Sequence, residues 1–520
     1  MRPSVSQHGS FSRRLAARLA GVMGLVHSPY IRFSLVIAAS LPVSRDGILP
    51  AGLAGVDHAC SFASRLLPCE GRDHLPIQAI GPMTGHQPGP GVSLSPPPRL
   101  LRRYWLTVAV TIAFGVPGII LRVLDIHLEP LLAAFIFGTA ILAAAFLLSW
   151  SAETAEMDIS QGLALAIIAF IAVLPEYAVD FVLAWKAGAN PAEAEKGLAV
   201  ANMTGGNRLL IGVGWPLVFA VFVFRSRLKV LIVDRTRSLE LTFLAVATAY
   251  VIFIPMRHAL TLADTIVLVS MFVIYLLLVM RAEGEEPVLV GPARALGALD
   301  TWPRRAVVAA LLVYSAAVIV ASAEPFADGL VETGEQFNIS EFLLIQWVAP
   351  LASESPEVMV AGLLAWRGRA AAGMGALISS KVNQWTLLIG TLPLAFSFAA
   401  GEFHLFDGLP LDSRQREEIF LTAAQSAFAL AVFLNLRMDR REATLLFVLF
   451  GTQLFITDQT FRLFYAIAYL VLCAGYLTFR RGDVPNRLRD AVASARGTLR
   501  EAEEVTVANL PPTGHEPTRR

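Results

Sequence analysis

Charged residues are scarce in this chain: they make up 16% of 520 residues, against roughly a quarter in an ordinary soluble domain. Hydrophobic residues make up 55%, and the mean hydropathy is +0.60. The formal net charge is only +1, so no overall field favours nucleic acid. This composition argues against a soluble enzyme and predicts a polytopic membrane protein.

Several chemical signatures are also missing. The three cysteines are too few and too scattered for a disulfide scaffold or a metal cluster. The nine histidines include no HExxH pair, and no glycine-rich phosphate loop is present. We therefore expect no enzymatic activity, no cofactor and no nucleotide or nucleic-acid partner, and we expect any transport to be driven by ion gradients.

Polar tails flank the apolar body. Residues 1–98 are rich in Pro, Gly, Ser and His and predict a disordered N-terminal tail. Residues 482–520 predict a cytoplasmic C-terminal tail. Within that tail, the apolar positions around Leu488 and Val492 are interspersed with arginines, so the segment is expected to be solvated or, alternatively, to lie on the membrane surface.

Between the tails, apolar runs long enough to cross a membrane recur about twelve times. The predicted spans are 104–123, 130–149, 161–185, 197–224, 239–255, 261–280, 304–323, 339–366, 371–399, 416–435, 442–457 and 460–479.

An internal duplication lies in this body. LPEYAVDFVLAWKAG, from Leu174 to Gly188, matches SPEVMVAGLLAWRGR, from Ser355 to Arg369, and each leads into a second matching run, NRLLIG or WTLLIG. The first copy lies in the third and fourth predicted spans, and the second copy lies in the eighth and ninth. Equivalent spans are five apart, an odd number, so the two copies must cross the membrane in opposite directions. The sequence thus predicts an all-α fold with an inverted pair of five-helix repeats, in residues 99–290 (core 160–224) and 291–481 (core 338–399), with one extra helix at each end.

Basic residues cluster in alternate loops, which fixes the predicted orientation. They precede the first span and follow the fourth, eighth, tenth and last spans, all on one side of a twelve-span protein. The positive-inside rule makes that side, with both termini, cytoplasmic. We expect a multi-pass protein of the bacterial inner membrane.

Each copy carries a proline followed by a glutamate within an apolar span: Pro175 and Glu176, and Pro356 and Glu357. Proline removes a backbone hydrogen bond, so both positions predict a helix break that frees carbonyl oxygens at mid-membrane depth. A carboxylate beside such a break suits a desolvated cation. The alternative is a protonated structural glutamate, which is less expected for a symmetric pair.

These two cores resemble the paired alpha repeats of the calcium/cation antiporter superfamily, the sodium/calcium exchanger membrane-region family, and in particular its bacterial sodium:proton exchanger-like branch. Family cores resemble GTSxPE followed by GNxxGSNxxN. By position, Glu354 and Gln384 stand at the usual Ser and Asn or Asp of the second copy. In the first copy Ala172 and Val173 replace Thr-Ser, and Gly206 takes the Asn position. The resemblance implies the cation-binding residues Glu176, Glu357, Glu354, Ser353, Asn202, Ser380 and Gln384.

Two basic residues enter the cores: Lys381, at the family's Asn of GSN, and Arg208. Neither cation is stable unpaired in a membrane, so Asp180 and Glu354 are the expected partners. A fixed ammonium beside a cation site repels divalent ions and leaves a neighbouring carboxylate free to titrate. Lys381 in a purely structural salt bridge is an equally weighted alternative.

The sequence thus predicts a secondary cation antiporter that exchanges Na⁺ for H⁺ through paired membrane glutamates. A Ca²⁺/Na⁺ or Ca²⁺/H⁺ exchanger is the close alternative. A cation channel is more remote, because acids in broken helices also line pores.

Overall fold

A computed structural model describes residues 98–158, 173–280, 289–454 and 458–496. Helices cover all twelve predicted spans wherever the chain is described, which confirms a polytopic helical protein. Seven of the helical segments are long and apolar enough to span a membrane. They are Pro98–Val123, Pro130–Ala155, Pro191–Ser226, Arg235–Met256, Leu262–Val279, Thr301–Phe337 and Thr460–Arg480.

The part of the chain predicted as the first repeat, with its extra N-terminal helix, begins with α1 and α2, which pack against each other. Its described elements are α1 (Pro98–Val123), α2 (Pro130–Ala155), α3 (Leu174–Ala189), α4 (Pro191–Lys196), α5 (Leu198–Leu209), a π-helical segment π1 (Leu210–Gly214), α6 (Trp215–Ser226), β1 (Val230–Ile232), α7 (Ser238–Val251), β2 (Ala259–Thr261) and α8 (Leu262–Val279). Short 3₁₀ turns lie at Arg235–Arg237 and Ile254–Met256.

The rest of the described chain, predicted as the second repeat and the C-terminal tail, continues with the same kinds of element. They are α9 (Ala293–Gly297), α10 (Thr301–Phe337), α11 (Glu341–Trp366), α12 (Ala370–Asn383), π2 (Gln384–Leu388), α13 (Ile389–Ala400), β3 (Gly408–Pro410), α14 (Ser413–Phe433), β4 (Arg437–Asp439), α15 (Arg440–Gln453), α16 (Gln459–Arg480) and α17 (Val484–Ala495).

Both duplicated cores contain a π-helical segment in or beside the LLIG run. The order is a helix with the Pro-Glu pair, a helix of small and polar residues, a π-helical segment, and an apolar helix. A π turn inserts one extra residue into a helix and changes which side chains face the neighbouring elements. In both copies it falls directly after the helix that carries the polar side chains of the core.

The two predicted helix breaks have different outcomes. Pro356 lies inside α11, which is continuous from Glu341 to Trp366, so the predicted break there is wrong. A proline removes a single backbone hydrogen bond, and this helix is packed by α5, α12 and α10, which compensates for that loss. Pro175 lies in the first turn of α3, where its missing N–H costs nothing. Residues 159–172, before it, are outside the described part of the chain.

Two short antiparallel sheets each join two loops that are distant in the sequence. β1 pairs with β4, and β2 with β3. The basic loops after the fourth and tenth predicted spans therefore meet at one end of the bundle, as their common predicted side requires.

Two further differences concern the ends of elements. α10 runs to Phe337, well beyond the predicted span, and its extension carries ion pairs from Glu324 to Arg122 and from Asp328 to Lys186. At the C-terminus, α17 packs against α7 rather than extending as a solvated tail. Its amphipathic character was visible in the sequence, whereas its docking partner was not.

Candidate functional site

Three carboxylates from the two duplicated cores meet between α3 and α11. Glu176 lies in the first turn of α3, and Glu354 and Glu357 lie one turn apart on α11. One oxygen from each side chain lies within 4.8 Å of the others. Glu176 and Glu354 are buried, and Glu357 is half-buried. The helical spacing of Glu354 and Glu357 places both on one face of α11, toward the N-terminus of α3.

Neutral donors hold these carboxylates. Gln384, the first residue of π2, donates from Nε2 to Glu354 Oε1 (2.7 Å) and to Glu176 Oε2 (3.2 Å), so one amide joins the two repeats. Ser380 Oγ donates to Glu357 Oε2 (2.5 Å). The predicted cation-binding side chains of the second copy are thus brought to the same carboxylates.

The first copy contributes the other wall. Asn202 Nδ2 donates to Asp180 Oδ1 (2.9 Å), and both side chains are buried. Ser353, from α11, is buried beside them, and its hydroxyl makes only a long 3.4 Å contact to the Pro350 carbonyl oxygen. A cavity of about 10 Å³ remains among these groups, about the space that one water molecule needs. It is lined by Glu176, Asp180, Asn202, Met203, Gly206, Asn207, Pro350, Ser353, Glu354 and Leu388.

Several oxygens in this region have no donor. Among the described residues, buried oxygens without a hydrogen-bond partner include Asp180 Oδ2, Asn202 Oδ1, Glu354 Oε2 and Gln384 Oε1. Leaving a buried acceptor unsatisfied costs about 1–3 kcal/mol, and more for a charged group. A cluster of unsatisfied carboxylate and amide oxygens is the set of ligands that a hard cation takes in place of water.

Two departures from the family pattern, Gly206 in the first copy and Glu354 in the second, are in direct contact. A Cβ atom at Gly206 would lie 2.7 Å from Glu354 Oε1, well inside van der Waals contact. The missing side chain of the first copy thus leaves room for the additional carboxylate of the second. The neighbouring Gly205 faces the backbone carbonyl of Gln346, so α5 and α11 approach each other closely at this point.

Lys381 is fully buried but forms no ion pair with the carboxylates within the described residues. Its Nζ donates to Asn207 Oδ1 (2.5 Å) and to the Asn207 carbonyl oxygen (3.2 Å). It also lies 4.3 Å from the ring centroid of Trp385, within cation–π range. The expected pairing of Lys381 with Asp180 or Glu354 is therefore wrong, because an amide, a carbonyl and an aromatic ring satisfy the ammonium instead.

Arg208 lies outside this site. Its Nη2 atom is 2.6 Å from Glu418 Oε2 on α14, with both side chains buried, and its guanidinium lies 4.9 Å from the ring centroid of Trp347. The expected pairing of Arg208 with Asp180 or Glu354 is wrong, because Arg208 projects from α5 toward α14. Glu418 was overlooked, although an acid inside the predicted tenth span indicates a partner for a buried base.

A family model described as sodium/calcium exchanger protein matches residues 130–281 and 307–482. These ranges cover more than half of the chain and include every carboxylate of the site. The chain belongs to the sodium/calcium exchanger family. It is a transporter and not an enzyme, and the resemblance expected from the two cores is confirmed.

The chain is also similar to individual cation exchangers and antiporters. The crystal structure of the H⁺/Ca²⁺ exchanger CAX is 41% identical, with a TM-score of 0.72, and the match covers 76% of this chain and 99% of that one. The CaxA protein of Alkalimonas amylolytica is 27% identical over 94 residues, which is 18% of this chain and 30% of CaxA.

Proposed function

We propose that this exchanger moves Ca²⁺ against protons, with both ligands competing for Glu176, Glu354 and Glu357. The observation that carries the proposal is the set of three carboxylates within 4.8 Å, held by Gln384 and Ser380 and by no basic side chain among the described residues. Ca²⁺ takes six to eight oxygen ligands, and carboxylates are its preferred anionic ones.

Protons are the natural competitors at such a site. Three carboxylates this close together in a low-dielectric interior cannot all stay ionised without a counter-ion. A bound Ca²⁺ neutralises two charges, and its departure requires that protons replace it. Exchange follows when the two repeats rock around the site and only the neutralised form crosses the barrier. The resemblance to a protein described as an H⁺/Ca²⁺ exchanger supports this choice of ions.

Na⁺/H⁺ exchange is the second candidate. The observation that favours it is the fully buried Lys381, whose ammonium contacts Asn207 at the cavity wall and adds one positive charge near Glu354. A fixed positive charge lowers the affinity for a divalent ion more than the affinity for a monovalent one.

The test uses purified protein in sealed liposomes with a trapped pH dye. A proton gradient is imposed, and Ca²⁺, Na⁺ or K⁺ is added in turn. The proposal predicts that Ca²⁺ dissipates the gradient with saturating kinetics and that Glu176→Gln or Glu357→Gln abolishes the signal. Glu402→Gln is the control, because Glu402 is an exposed acid in the loop after α13, outside the site.

A response to Na⁺ alone would favour the second candidate. Ca²⁺ flux that does not saturate and needs no opposing ion would contradict exchange and indicate a channel.

A further inference from the structure

The helix α17 follows the spanning helix α16 after only three residues and is docked on the protein by one face. Arg487 Nη1 donates to Ser238 Oγ (3.2 Å), and Ser494 Oγ donates to the Thr236 carbonyl oxygen (3.3 Å). Ala491 lies between them and is buried. These contacts hold α17 against the start of α7.

A second face of α17 is apolar and uncovered. Val484, Leu488 and Val492 are spaced four residues apart, so they form one stripe beside the docked face. Leu488 is 53% exposed and Val492 50%. A short helix with a strongly polar face and an apolar stripe is typical of helices that lie in the membrane interface.

The charges around the stripe indicate what covers it. At helical spacing, Arg489 and Arg496 border the stripe on the side away from the docked face, and both are exposed. The paired strands β1 and β4 are flanked by further exposed arginines, including Arg227 and Arg441. Arg480, at the end of α16, contacts the Val432 carbonyl beside these loops. The helix thus lies at the basic end of the bundle, where a spanning helix leaves the membrane.

We propose that α17 lies in the headgroup region and binds anionic phospholipid, with Leu488 and Val492 in the acyl boundary and Arg489 and Arg496 on lipid phosphates. Apolar burial and attraction to anionic headgroups add in such a helix, with each basic side chain near the surface contributing about 1 kcal/mol. Arg487 does not take part, because Ser238 and Asp490 hold it on the protein side.

The test places an environment-sensitive fluorophore on the full-length protein in lipid vesicles. Leu488→Cys carries it on the stripe, and Asn486→Cys carries it on the opposite exposed face, both in a chain whose Cys60, Cys69 and Cys473 are replaced by serine. Lipids brominated in the acyl chain serve as quenchers. The proposal predicts quenching at position 488 that is several-fold stronger than at position 486. Equal quenching at both positions, or none at 488, would overturn it.

The lipid charge is tested in the same system. Quenching at position 488 should be stronger in vesicles containing phosphatidylglycerol than in pure phosphatidylcholine vesicles, and Arg489→Gln with Arg496→Gln should remove the difference. Equal quenching in the two lipids with the arginines intact would contradict the binding of anionic lipid.

Discussion

At the scale of single residues, the site contains more side-chain oxygens than hydrogen-bond donors to satisfy them. The Gln384 amide donates to both Glu176 and Glu354, and the Ser380 hydroxyl donates to Glu357. Other buried oxygens from both duplicated cores still have no hydrogen-bond donor among the described residues. Each unsatisfied acceptor raises the free energy of the folded protein. Coordination of a cation by these oxygens removes that cost and so favours binding. The glycine and the additional glutamate that depart from the family pattern belong to this arrangement.

Gly206→Ala should weaken cation binding without preventing folding. The new methyl group would lie against the flexible end of Glu354, which can shift, but the shift moves the carboxylate away from its ligand position. A loss of about 1.4 kcal/mol corresponds to tenfold in affinity, and we expect a change of about this size in half-saturating Ca²⁺. Gly205→Ala is the contrasting control. Its methyl group would meet the backbone of Gln346, so that variant should fail to fold. An unchanged affinity in Gly206→Ala would contradict the ligand role of Glu354.

Lys381→Met should lower the Ca²⁺ concentration that gives half-maximal proton flux. Methionine keeps an apolar stem against Trp385 but removes the ammonium that repels a divalent ion. The measurement is the Ca²⁺ dependence of dye-reported flux at fixed pH. If the affinity does not change or falls, Lys381 has a purely structural role, in which it holds Asn207.

At the scale of elements, buried ion pairs connect the site helices to the rest of the bundle. Arg208 connects α5 to Glu418 of α14, and Arg462 of α16 lies 3.6 Å from the same carboxylate. Removing one partner of a buried pair costs about 3–5 kcal/mol, because the other charge stays buried. Arg208→Met should therefore strongly reduce the thermal stability of the detergent-solubilised protein, and adding Glu418→Gln should restore part of it. A double variant no more stable than the single one would contradict the pairing.

A second ion pair, outside the bundle core, should make stability depend on pH. Arg304 donates to both oxygens of Asp158 (2.7 Å each), and these hydrogen bonds lower the pKa of Asp158 below its usual value. A carboxylate whose pKa is lowered in the folded state stabilises the protein at pH values above the ordinary carboxyl range. This stabilisation is lost as the pH falls through the lowered pKa. Asp158→Asn should reduce the melting temperature at pH 7, and the difference should shrink toward pH 3. An equal difference at both values would exclude the ionic contribution.

The sequence predicted the elements better than their partners. Hydropathy located the helical segments that the structure describes, since long apolar runs depend only on composition along the chain. It did not predict that α11 continues through Pro356, because the packing that compensates for a lost hydrogen bond comes from distant segments. For the same reason it identified Arg208 and Lys381 as buried bases but assigned wrong partners to both. Of the acids, Glu176 and Glu357 stand out in the sequence because they are duplicated, whereas Glu354 and Asp180 each occur in one copy only.

At the scale of the whole molecule, one helix of each duplicated core lies on either side of the proposed cation site. α3 contributes Glu176 and Asp180, and α11 contributes Glu354 and Glu357. The inverted relation of the two repeats remains a prediction from the odd spacing of their spans. It provides a simple route for alternating access, since inverted halves exchange conformations when one side opens and the other closes.

If Ca²⁺ and protons compete for the same carboxylates, Ca²⁺ binding must release protons, and this release can be measured. Ca²⁺ is added to purified protein in weakly buffered detergent solution, and the protons released per bound ion are measured with a pH indicator. We expect proton release on Ca²⁺ binding, with a Ca²⁺ affinity that rises with pH. Release should be reduced in Glu357→Gln and unchanged in Glu402→Gln, which changes an exposed acid outside the site. Ca²⁺ binding that releases no protons and does not depend on pH would show that the two ions do not share these carboxylates.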